Sequence, residues 1–166
     1  MATFIHYIHV LSAILWIGGM LFVGFVATPV FRRELNEHER VRLIIAVGRQ
    51  FRPFAWTALI LLWVTGLIKL WHLIGLHPTG AFFREGYGRI LMFKLTLVLV
   101  ATILEAIHDF VIGRRYERYL AQGDLDSAEY NQMRRWTILL AISNEIVVLT
   151  IVLFAVMLRS YSLPLQ

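Results

Sequence analysis

Apolar residues in this chain do not alternate with polar ones. They run together in four blocks, at residues 4–30, 54–76, 90–112 and 136–158. Each block is long enough for a helix to cross a hydrocarbon core of about 30 Å, which takes about 20 apolar residues. Inside lipid a segment must satisfy its own backbone N–H and C=O groups, so the blocks are expected to be helices. The first block carries no formal charge, and its polar start and long apolar run do not fit a cleavable signal peptide. The pattern predicts an all-α fold, a transmembrane four-helix bundle with residues 1–166 as a single transmembrane domain.

The polar connections predict the orientation. Six arginines (Arg32, Arg33, Arg40, Arg42, Arg49 and Arg52) lie between the first two blocks. Five more (Arg114, Arg115, Arg118, Arg134 and Arg135) lie between the last two. The opposite side holds only Arg84, Arg89 and Arg159. Lys/Arg bias places the arginine-rich loops in the cytoplasm and both termini outside, as in a multi-pass protein of the cell inner membrane. The segment 31–53 mixes Arg and Glu with Leu35, Val41, Ile44 and Ile45, which fits either a surface-lying amphipathic helix or an extension of the second span. His77-Pro78-Thr79-Gly80, ahead of Phe82-Phe83, reads as a turn in the outer loop, and Gln122-Gly123-Asp124 as a polar turn on the inner side.

Composition sharpens the class. Hydrophobic residues make up 58% and charged residues 16% of the chain, and the mean hydropathy is +0.67. A soluble domain carries about 25% charged residues, so lipid is the expected solvent. The net charge of +5 sits in the loops, as topology requires, and does not point to nucleic acid. With no cysteine, disulfides and thiolate metal sites are excluded.

Polar side chains at membrane depth are costly and therefore informative. Converted to depth at about 1.5 Å per residue, His6 and His9 of the first span, Lys69 and His72 of the second and Lys94 of the third fall in the outer half. His6, His9, Ala13, Trp16 and Met20 form one stripe by helical spacing, with Gly18 and Gly19 beside Trp16 allowing close approach. A second group lies farther in: Glu105, His108 and Asp109 on the third span, and Asn144-Glu145 mid-span on the fourth. Two imidazoles from different helices suit axial ligation of a haem in a bundle. The same imidazoles would bind copper or zinc, and Met20 or Met92 could add a thioether.

Plainer readings stand beside these. His6 can simply be solvated among headgroups, and Lys69 and Lys94 can snorkel on their long stems. Lys69, Trp71 and His72 also fit an interfacial belt. Asp109 can pair locally with Arg114 and Arg115, and Glu105, His108 and Glu145 read as a proton path or a packing group. His38 and His77 sit in loops and offer nothing beyond a metal contact.

The stretch His9-Val-Leu-Ser-Ala-Ile-Leu-Trp16-Ile-Gly18-Gly19-Met-Leu-Phe22, followed by Pro29, resembles the opening helix of the CopD-like (copper-resistance D) membrane family. Lys94-Leu-Thr-Leu-Val and His108-Asp109-Phe-Val-Ile-Gly113 are similar to the third helix of that group. His9, Lys94 and Asn144-Glu145 are also similar to the first-helix histidine, third-helix lysine and last-helix Asn-Glu pair of HemJ-type protoporphyrinogen oxidases. Those proteins carry an aromatic-rich segment with a Leu-Pro-Arg core after the first-helix tryptophan. Here Ile17-Gly18-Gly19 stands instead, so this resemblance implies haem binding and not the oxidase activity. The CopD resemblance implies copper handling, often beside a periplasmic copper-binding partner.

The expected function is a haem b-binding membrane protein with redox or electron-transfer chemistry near the outer face, possessing oxidoreductase character if a substrate docks. His9 and His72 are the expected iron ligands, Lys94 a propionate contact or alternative ligand, and His6 and Trp16 neighbours of the cofactor. The alternative is a copper transport or tolerance protein using the same histidines. Expected partners are the lipid bilayer, a quinone or quinol, and a periplasmic redox or copper-binding protein; a homo-oligomer is left open.

Overall fold

The structure, a computed structural model, describes residues 2–76 and 86–162. The outer-loop turn at His77-Pro78-Thr79-Gly80, with Phe82-Phe83 and Arg84, lies outside the described residues. Four long helices, each apolar enough to cross a membrane, account for nearly all the rest. They are the first (Ala2–Glu34), second (Glu37–Leu76), third (Gly86–Gln122) and fourth (Ala128–Ser162). The first packs along the second and the third along the fourth; contacts of the second with the end of the third, and of the first with the fourth, close the ring. This is a four-helix membrane bundle, with Phe25, Ile60, Ile146 and Leu153 among the large apolar side chains left on its outward faces for lipid.

Segment 37–53 is a continuation of the second helix and not a separate surface helix. Forty residues rise about 60 Å, twice the hydrocarbon thickness, so the bundle stands well beyond the membrane at its arginine-rich end. The start of this helix is capped by Asn36, whose Oδ1 accepts the Glu39 N–H at 2.9 Å. The third helix stops at Gly123, in the left-handed region at φ 68°, whose N–H reaches back to the last turn of carbonyls. Ser127 Oγ then accepts the Tyr130 N–H and starts the fourth helix. The polar turn expected at Gln122-Gly123-Asp124 is this cap.

Two helices contain a π turn, at Val23–Ala27 and His108–Ile112. The first has a local cause. Pro29 has no N–H for the carbonyl one turn back, and the Thr28 N–H bonds to Val23 O, five residues behind. In the second, the Gly113 N–H reaches His108 O in the same way.

The core is layered along the axis. Mid-bundle, Trp16 (3% exposed) lies among Ala55, Ala58, Leu59, Ala101, Val148 and Ile151, where three alanines make room for the indole. At the arginine-rich end a second cluster gathers Val41, Leu125 and Tyr130, with Tyr116 and Tyr119 set edge-on to the Tyr130 ring.

Candidate functional site

Two polar groups stand on opposite sides of the Trp16 core. At the histidine end, the first and second helices are in direct register. His9 Nδ1 lies 2.7 Å from Thr65 Oγ1, and His6 Nδ1 lies 3.2 Å from Lys69 Nζ. Thr65 is buried, and its one hydroxyl proton is engaged by Leu61 O at 2.6 Å. Its oxygen is thus left as an acceptor, and His9 donates to it through Nδ1–H. That fixes the tautomer, with Nδ1 as the donor and Nε2 carrying the lone pair. The Lys69 ammonium donates to His6 Nδ1, so this nitrogen is occupied. Lys94, half-buried on the third helix, is close enough to act electrostatically on His9 and on Lys69. Gly66 lies beside the His9 ring, where a methyl group would meet Cε1 at an ordinary contact distance of 3.5 Å.

Not every expected residue joins this cluster. His72 is exposed and stands about two turns beyond Thr65, roughly 10 Å farther along the axis than the level of His9. Trp16 is about two turns deeper than His9 and belongs to the core. Met92 is exposed, while the Met20 sulfur accepts from Asn144 Nδ2 at 3.4 Å in the other polar group. Among the described residues no set of three or more His, Asp or Glu side chains is gathered to hold a metal.

On the arginine-rich side, Asn144 Nδ2 donates to Glu105 Oε2 at 3.1 Å, with both residues buried. Glu145 lies directly against Gly24, within the first π turn, where a methyl group would meet its carboxylate. Asp109 faces the second helix instead of Arg114 and Arg115. It accepts from Trp56 Nε1 at 2.8 Å and lies 3.6 Å from Arg52 Nε. Helical spacing places Asp109 near the end of its span, but only the π turn and the packing decide that its side chain crosses to Trp56.

Gly24, Arg52, Glu105, Asp109, Asn144 and Glu145 line a cavity of about 290 Å³ extending toward the arginine-rich end. No sequence pattern announced it, because it is bounded by both π turns and by all four helices. Its rim is a set of ion pairs: Glu37 with Arg40 at 2.7 Å and with Arg134 at 3.4 Å, and Arg49 with Glu117 at 3.0 Å. Tyr130 donates to Glu37 at 3.4 Å. Burial, with the neighbouring Tyr116 and Glu37, pushes the Tyr130 phenol up to about 12, and burial likewise raises Tyr116.

No solved structure matches the chain significantly. The chain is 27% identical over 155 residues to an uncharacterized protein of Aquifex aeolicus (strain VF5), covering 92% of each. Residues 45–159 match the family described as copper resistance protein D. The match covers more than half of the chain and three of the four membrane helices, and the chain therefore belongs to the CopD family of multi-pass membrane proteins.

Proposed function

We propose that this CopD-family protein binds a metal centre at the histidine end through His9 Nε2, and that the centre is haem b. The observation that carries the reading is the His9–Thr65 hydrogen bond at 2.7 Å. Metal-binding imidazoles commonly donate their second ring N–H to a fixed acceptor, which sets the ring and leaves the other nitrogen for the metal. Lys69 and Lys94 add positive charge around it. That suits a ligand bearing carboxylates, such as the haem propionates, better than a bare cation. Bound haem would supply one-electron redox chemistry. The protein's part is to present one imidazole, hold the carboxylates and keep the iron at the membrane edge.

The sequence suggested His72 as a second axial ligand, but its height favours a single-histidine site. The arginine bias supports placing the histidine end outside the cell inner membrane, where a quinol or a periplasmic redox protein could exchange electrons. Copper as cargo is the second reading, favoured by the family match. In it His9 is again the ligand, and His6 joins only after Lys69 withdraws.

Absorption spectra and metal analysis of the purified protein test the proposal. One haem per chain, seen as a Soret band, is expected. Stoichiometric copper without haem selects the second reading, and neither metal in protein purified with both supplied overturns the site.

A further inference from the structure

The cavity on the arginine-rich side extends along the bundle axis. Its lining on the second helix extends from Arg40 to Ala55, about 22 Å of helical rise. Its volume matches on the order of ten water molecules. At its inner end the path stops at a dry core, where Ala101 is 0%, Leu59 1% and Val148 2% exposed. At the other end it reaches a layer that projects past the membrane.

Most of the charges along this path are paired; Arg32, on the exposed edge of the lining, stands outside those pairs. The rim guanidiniums of Arg40, Arg134, Arg49 and Arg52 each have a carboxylate partner within 4 Å, in Glu37, Glu117 or Asp109. Deeper in, titratable groups from three helices line the cavity around Glu105. His108 and Asp109 lie on its own helix, Glu145 on the fourth and Arg52 on the second, while the first contributes Met20 and Gly24. The Glu105–Asn144 pair accommodates either protonation state of the carboxyl. With Glu105 ionised, Asn144 Nδ2 donates to it, as observed. With Glu105 protonated, an amide rotated by half a turn offers Oδ1 to the carboxyl O–H. In the observed orientation that Oδ1 is buried without a partner among the described residues.

We propose that this cavity is a water-filled half-channel that carries protons between the arginine-rich face and the Glu105–Asn144 pair, closed toward the other face by the Trp16 core. A proton arriving along the water passes to the Glu105 carboxylate and leaves by the same route. The inference does not depend on what His9 binds.

The chain has no cysteine, so single cysteines can be placed directly. Ala141 and Thr137 line the cavity, Ile142 faces outward and Val148 lies in the core. A charged methanethiosulfonate reagent is applied to membrane vesicles from each side in turn, with Q122C marking the arginine-rich side. From that side A141C and T137C should react on the order of tenfold faster than I142C and V148C, since a thiolate forms readily only in water. From the opposite side they should stay unreacted. Equal rates from both sides, or A141C and T137C as inert as V148C, would overturn the half-channel. Dicyclohexylcarbodiimide, which attacks protonated carboxyls in membranes, tests the terminus. Labelling should fall as pH rises and be lost at position 105 in E105Q, peptide mapping separating it from Glu145, with A141C reactivity kept in the E105Q background. Labelling that persists unchanged in E105Q removes Glu105 from the path.

Discussion

At the scale of single residues, the chemistry of this protein rests on how each polar side chain is partnered. His9 and His38 are the same residue type in different situations. The first is tied to buried Thr65, and the second is exposed in the charged segment. His9→Ala should therefore abolish metal-centre occupancy while His38→Ala leaves it intact, measured as Soret absorbance and metal per chain. Thr65→Val keeps shape and removes the acceptor, so affinity should fall about 10- to 100-fold with membrane insertion unchanged. Tyr130 makes a separate prediction. Its pKa rises from 10.0 unfolded to about 12 folded, so the native state holds its proton longer. This contribution is complete below pH 10 and lost as pH climbs through 12. The melting temperature of the wild type should drop more steeply across that window than that of Tyr130→Phe.

At the scale of elements, helices were legible because apolar length alone specifies them in lipid, and Gly123 marked the polar turn at which the third one stops. The π turns were not legible as π turns. Pro29 signals a lost donor, but whether the ladder kinks or slips by one residue depends on what packs around it. Glycines show the same division. Gly18 and Gly19 look equivalent in sequence, yet a methyl group at Gly19 would overlap the Phe51 ring and one at Gly18 would meet nothing. Gly19→Ala should destabilise the bundle by about 1–3 kcal/mol through overpacking. Gly18→Ala should be neutral or stabilise by up to about 1 kcal/mol from helix propensity. Thermal denaturation in detergent compares the two, and equal effects would contradict the packing of the first helix on the second.

At the scale of the whole molecule, four helices form a ring with a dry middle and polar groups on both sides of it. An even number of crossings puts both ends of the described chain on one side, and from the arginine bias we propose that this side is the exterior. Cysteines at Thr3 and Gln122 should accordingly be labelled by an impermeant maleimide from opposite sides of intact cells, Thr3→Cys from outside. Labelling of both from the same side would refute the four-crossing order. Reversed labelling would refute only the orientation. The family match is compatible with either, since it concerns the helices and not their direction.

The sequence by itself determined the membrane class, the four crossings, the arginine asymmetry and the candidacy of His9. Each depends on local composition or on helical rise, which a linear pattern carries in full. Tertiary structure alone decided the partners. It matched His9 with Thr65 and left His72 farther out, moved Met20 to Asn144, turned Asp109 toward Trp56 and opened the cavity between the π turns. The reason is geometric. Rise along a helix gives depth to within about a turn, but a hydrogen bond is decided by a fraction of an ångström and by the rotation of two helices about their axes. Those rotations were set by Trp16 and the alanines that admit it, contacts between residues far apart in the chain.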